Sequence, residues 1–276
     1  MINIVFIANK RFLNLATETA KLYRKLNLDI CLLYGPDVNR DDIDPNVFTD
    51  AVLVNMEGIG LAESDRIPNI AYAKLLIPQL FRYKYDYSIY FDSDTFPKNL
   101  SSLTTDFISR VKSIECIGMV AHSGIPRKVA AYDYSKYYNS GVIAFNNNHS
   151  MHLDIVKLSK IYAGYSKKIV FEDQCFINLY YNNFIADLPC YLNATTDHYY
   201  FNGDFKVFAQ DCEYSAIIHF TGLFGKPDQL FYIHPEKHLS SHIKSNLKSS
   251  TSQADSFLKC IIRYALYRLG IYRPFI

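Results

Sequence analysis

Short apolar runs, closed off by turn formers, alternate with segments of helical period from Ile2 to Phe220. Parallel strands need crossovers long enough to hold a helix, so this alternation predicts an α/β domain built on a central sheet. The opening run, Ile2–Ala8, is rich in β-branched residues and reads as a buried strand. Further strands are predicted over residues 30–34, 51–55, 87–91, 116–121, 141–145 and 215–220. Helices are predicted over 12–25, 71–81, 151–162 and 173–181, with Pro78 expected to bend or end the second.

The chain has 276 residues, enough for one large domain with its own core. That domain is expected to span residues 1–244. Residues 245–256 are polar and serine-rich, the pattern of a linker. Beyond them, Phe257, Leu258, Ile261, Ile262, Ala265, Leu266 and Leu269 recur at helical spacing, interleaved with Lys259, Arg263 and Arg268. From His238 onward six Lys or Arg face one acid, Asp255, whereas the whole chain carries only +2. Residues 245–276 are therefore expected to form a basic amphipathic tail suited to an anionic membrane surface. The near-neutral total gives no reason to expect nucleic acid as a partner. The six cysteines show no metal-type spacing and are expected to be reduced. The start lacks the basic and small-residue pattern of a signal peptide. A cytoplasmic protein, peripheral on the inner face of the plasma membrane, is the expectation.

The strongest chemical signal is the bulky strand Tyr87–Phe91 running directly into Asp92-Ser93-Asp94. In α/β sheets, the carboxyl ends of strands border the ligand crevice. Residues i and i+2 of an extended segment point the same way, so both carboxylates would reach one ion. Two acceptor-only, anionic groups suit a hard divalent cation, Mn²⁺ or Mg²⁺, with positions left for phosphate oxygens. The plainer reading is a pair of turn aspartates capping a helix. A second signal, residues 217–227, is a strand ending in a glycine-containing loop: His219 at its exit, Gly222 and Gly225 after it, then Lys226-Pro227. A strand-exit imidazole is a potential metal ligand, the glycines allow close approach to a phosphate, and Lys226 adds positive charge.

Together these segments resemble the retaining glycosyltransferases of family 8, the group that contains glycogenin and the bacterial lipopolysaccharide galactosyl- and glucosyltransferases. The resemblance spans roughly residues 1–235. It rests on Ala71-Tyr72-Ala73-Lys74-Leu75, on Tyr90-Phe91-Asp92-Ser93-Asp94 and on Tyr138-Asn139-Ser140-Gly141-Val142. It continues in Glu172-Asp173-Gln174, in Leu188-Pro189 with Asn193, and in His219, Gly222 and Lys226. It implies a GT-A fold: a Rossmann-like nucleotide-sugar-binding domain on a mixed, mostly parallel sheet. It implies a metal-dependent hexosyltransferase that moves galactose or glucose from a UDP-sugar to a glycan or lipid-linked glycan, in the synthesis of a bacterial surface glycan. By the same resemblance Asp92, Asp94 and His219 hold the metal. Ala8, Asn9, Lys74, Ser93, Asn139, Ser140, Gly222 and Lys226 would bind the donor, and Asp173 and Gln174, bordering the transferred sugar, would be the catalytic residues.

The chain departs from the family pattern at several points. Lys74 stands where an arginine is usual, keeping the charge but not the bidentate fork. Asn9 falls near an expected aspartate, Asp228 replaces a tryptophan, and one extra residue precedes Lys226. Two other readings compete. One is a nucleotide-sugar-binding protein without turnover. The other is a phosphatase of the haloacid dehalogenase type, which reads Asp-x-Asp-x-Thr/Val; here that last position is Phe96, and Thr95 sits one place early.

Overall fold

Strand β1 (Ile2–Ala8) places Ile4, Phe6 and Ala8 in one core and Val5 and Ile7 in another, because successive strand side chains point to opposite faces. A computed structural model gives this arrangement, and it describes residues 1–61, 68–97, 100–122, 136–166, 169, 172–195 and 215–219. Around β1 lie β2 (Asp29–Tyr34), β3 (Asp50–Leu53), β4 (Tyr87–Phe91), β6 (Ile117–Ala121), β7 (Tyr138–Asn146) and β8 (Ile185–Leu188). Among the described residues they form a seven-stranded sheet in the order β3-β2-β1-β4-β7-β6-β8. β7 runs antiparallel to β4 and β6; the other pairings are parallel. The mixed, mostly parallel sheet is the architecture that the resemblance implies.

Helix α1 (Leu13–Tyr23) covers one face with Ala16, Ala20 and Tyr23. A helical run on the same face comprises α3 (Leu100–Ser102), a π-helical turn at Leu103–Phe107 and α4 (Ile108–Val111). The opposite face is covered by a 3-10 stretch at Asn69–Leu76, α2 (Ile77–Phe81), α5 (Ile155–Tyr165) and α6 (Glu172–Tyr180). Phe91 is buried and stacks on Tyr23 with ring centroids 4.3 Å apart, locking α1 to β4. Truncating a buried phenylalanine of this kind costs about 3–5 kcal/mol.

Pro78 does not end a helix. It lies in the first turn of α2, where a missing N–H costs nothing. The residues before it are 3-10 rather than α-helical. The strand expected at 141–145 is longer, because Tyr138 and Asn139 also pair with β6. That pairing skips: Met119 faces Ile143 but Val120 faces Asn139, so residues 140–142 bulge from the β6 ladder. A bulge re-aims side chains at a sheet edge. A second, three-stranded sheet in the order β5-β10-β9 joins β5 (Thr95–Pro97), β9 (Ala194–Thr195) and β10 (Ile217–His219). β5, β8 and β9 are too short to show a period, and the sequence did not reveal them. The linker and tail, residues 245–276, lie outside the described residues. No helix among the described residues is long and apolar enough to cross a membrane.

Candidate active site

From β1 the chain moves outward to β2 and β3, then returns to place β4 on the other side of β1. The gap between β1 and β4 is therefore a topological switch point, where the carboxyl ends of parallel strands leave room for a ligand. Ala8 ends β1 and Asn9 follows it at this edge, and Asp92 follows β4. Ala8 is buried, and the Asn9 side-chain oxygen accepts the Phe12 amide at 3.2 Å, fixing the entry to α1.

The two aspartates converge, but not through an extended segment. Ser93 and Asp94 form a turn, closed by the Thr95 amide donating to the Asp92 carbonyl at 3.1 Å. The Thr95 hydroxyl donates to the same carbonyl at 2.8 Å. Helix α1 grips this turn: Thr19 Oγ1 donates to the Ser93 carbonyl at 2.6 Å, and the Tyr23 hydroxyl donates to Thr95 Oγ1 at 3.1 Å. The small sheet then delivers the third group. β10 runs antiparallel to β5 with His219 opposite Thr95, and parallel to β9 with His219 opposite Thr195.

His219 Nε2 consequently lies 3.2 Å from Asp94 Oδ1 and 3.4 Å from Asp92 Oδ2. One ligand atom from each of the three residues lies within 4.8 Å of the other two. Two hard carboxylate oxygens and one imidazole nitrogen, converging on one point, fit a divalent cation such as Mn²⁺ or Mg²⁺. Burial by itself would lower the His219 pKa. The charges of Asp94 and Asp92, and hydrogen bonds to them, outweigh burial and raise it to about 9. The imidazole face rests on Gly141, where a Cβ atom would stand 1.9 Å from His219 Cε1.

Lys74 is buried, with 2% of its surface exposed. Its ammonium lies 2.7 Å from Asp173 Oδ2 and 3.6 Å from Asp92 Oδ1, and 4.7 Å from the centre of the Tyr90 ring. Burial lowers its pKa, but Asp173 and Asp92 more than compensate and the net shift is upward. The Tyr90 hydroxyl donates to Asp92, and burial followed by the Asp92 charge holds that phenol well above its usual range.

The remaining residues come from the bulged start of β7 and from α6. Ser140 Oγ donates to Asp173 Oδ2 at 3.0 Å. Gln174 Oε1 accepts from the Asn139 side chain and from the Ser140 amide, each at 3.2 Å. The structure thus brings Lys74, Asp92, Ser93, Asp94, Asn139, Ser140, Asp173, Gln174 and His219 to one sheet edge. Gly222 and Lys226 lie outside the described residues. Sequence reading gave no role to Thr19, Tyr23, Tyr90 or Thr95, whose partners are backbone or neighbouring side chains. Asn193 was picked out by its motif alone; its position just ahead of β9 puts it against His219.

Comparisons with known proteins agree with this geometry. Residues 42–227 match the family model of Glycosyl transferase family 8. No curated protein sequence matches the chain. A crystal structure of galactosyltransferase LgtC with donor and acceptor sugar analogs superposes with a TM-score of 0.66 at 18% identity, covering 93% of this chain and 100% of that one. The glycosyltransferase GlyE of Streptococcus pneumoniae TIGR4 gives 0.56 at 17% identity, over 99% of this chain and 66% of that one. Mouse xyloside xylosyltransferase 1 gives 0.54 at 13% identity, over 82% and 99%. At these identities the likeness to solved structures is one of fold. The family match extends over most of the chain and takes in the Asp92–Asp94 turn, the Asn139 strand and His219, so the chain belongs to glycosyl transferase family 8.

Proposed function

We propose that this glycosyltransferase is a retaining hexosyltransferase that moves galactose or glucose from a UDP-sugar to a glycan or lipid-linked glycan. The observation that carries the reading is the convergence of Asp92, Asp94 and His219 at the switch point, beside Asn139, Asp173 and Gln174. Those three ligands would hold Mn²⁺ or Mg²⁺, which when bound supplies Lewis-acid neutralisation of the nucleoside diphosphate. Lys74, buried between Asp92 and Asp173, holds the two carboxylates in place. Lys226 adds positive charge to the diphosphate. In the transfer, the bond from the anomeric carbon to phosphate breaks and a bond to the acceptor oxygen forms on the same face. The acceptor proton passes to the departing phosphate oxygen. One oxygen of Asp173 is already held by Lys74 and Ser140, which favours a positioning role over covalent attack.

A thermal-shift screen of nucleotide-sugars with and without Mn²⁺ tests this. Stabilisation by UDP-galactose or UDP-glucose that disappears with chelator is expected; no metal-dependent stabilisation by any nucleotide-sugar would defeat the reading. Measured transfer or donor hydrolysis would exclude a binding protein without turnover. The family match leaves the phosphatase reading without support. The basic composition of residues 245–276 supports an acceptor at the cytoplasmic face of an anionic membrane. Deleting residues after 250 should then abolish binding to anionic vesicles, and unchanged binding would remove that placement.

A further inference from the structure

The hydrogen-bond directions around His219 are fixed by two backbone amides at the far end of a side-chain relay. The Gly141 N–H donates to Asn139 at 2.8 Å, so the receiving atom must be the Asn139 oxygen. The other end of the same amide has the same orientation fixed by a second contact. It meets the Gln174 atom that also accepts the Ser140 N–H, so that Gln174 atom is an oxygen and the Asn139 group facing it is NH₂. Asn193 approaches the Asn139 oxygen at 2.7 Å and must present its own NH₂ there. Its remaining atom, the oxygen, therefore faces His219 Nδ1 at 3.0 Å. Nδ1 must carry a hydrogen to donate across that contact. Nε2 is then the ring nitrogen that faces Asp92 and Asp94, and a cation taking the place of its proton there would receive its lone pair.

We infer that Asn193 is a positioning residue that sets the His219 tautomer for cation binding and, through Asn139, ties the cation ligands to the donor-sugar residues. The inference rests on the reading of Asp92, Asp94 and His219 as a metal site. Asn193 is 3% exposed, and both ends of its amide are engaged. Its position is set by the short strand β9, which begins at the next residue and pairs with β10. Partners that orient a ligating histidine typically change metal affinity by about 10- to 100-fold when lost. One side chain here serves two neighbours through opposite ends, so substitutions that spare one end separate the two effects. Asn193→Asp keeps an acceptor for Nδ1–H but sets an oxygen against the Asn139 oxygen. Asn193→Leu keeps the branched shape and removes both bonds.

The experiment is Mn²⁺ titration of the full chain by isothermal calorimetry, with folding checked by circular dichroism, alongside steady-state transfer from the donor. Asn193→Leu should weaken Mn²⁺ binding by about 10- to 100-fold. Asn193→Asp should bind Mn²⁺ about as the parent does, yet raise the donor KM because Asn139 loses its partner. In ¹⁵N-histidine NMR of the Mg²⁺-loaded parent, His219 should show a protonated Nδ1. Parent-like Mn²⁺ affinity in folded Asn193→Leu, or a protonated Nε2 with bare Nδ1 in the Mg²⁺-loaded parent, would overturn the inference. If Asn193→Leu does not fold, the Asn193→Asp split and the NMR signature decide. Asp94→Asn separates the two levels of argument. If it binds Mn²⁺ like the parent, the metal site itself is wrong; if it loses Mn²⁺ while Asn193→Leu does not, only the role of Asn193 falls.

Discussion

The ammonium of Lys74 lies 2.7 Å from a carboxylate oxygen of Asp173, and both side chains are buried. Removing one partner of such a pair strands the other charge in a poorly solvated place. Lys74→Met should therefore destabilise the protein by about 3–5 kcal/mol in urea unfolding. An unchanged midpoint would show that the pair contributes no net stability.

Asp94→Ala and Asp92→Asn should cut transfer at least about a hundredfold, since losing one preorganised electrostatic contact typically costs about 3–4 kcal/mol of transition-state stabilisation. Both variants should remain folded by circular dichroism. Normal turnover by folded variants would contradict the assignment of these residues.

Gly141 is constrained by space, because a Cβ atom there would stand 2.4 Å from His219 Nδ1. Gly141→Ala must displace the imidazole or the strand. Overpacking of this kind costs about 1–3 kcal/mol. Mn²⁺ affinity should fall with it, by about tenfold or more, as when an outer-shell partner is lost. Calorimetric titration of the alanine variant checks the affinity against the parent, and urea unfolding checks the stability.

His152 is buried between Tyr181 and the Asn146 carbonyl, and burial lowers its pKa from the ordinary 6.5 to about 4. The unfolded chain binds this proton more readily than the native one. The resulting stability is complete above pH 6.5 and is lost as pH falls toward 4, by about 3 kcal/mol in all. Urea unfolding at pH 7 and pH 4.5 should show a smaller loss for His152→Gln than for the parent.

The sequence made six of the seven strands of the main sheet legible, all but β8, because they are apolar enough to be read alone. Ile2–Ala8 and Tyr87–Phe91 lie where their composition places them. The metal-type residues were legible as motifs, but the route by which they meet was not. Asp92 and Asp94 converge through a turn held by α1, and His219 arrives through β5 and β9, strands of three and two residues. The burial of Lys74 was equally hidden. Its two acidic partners lie on other elements, and only the packed fold brings them within reach.

The strand order also says when, during manufacture on the ribosome, this protein acquires its chemistry. Among the described residues, the last strand of the large sheet ends at Leu188, whereas His219 lies on the strand that closes the small one. A nascent polypeptide can thus lay down the large sheet before it has made the third cation ligand, which arrives only when β10 docks between β5 and β9.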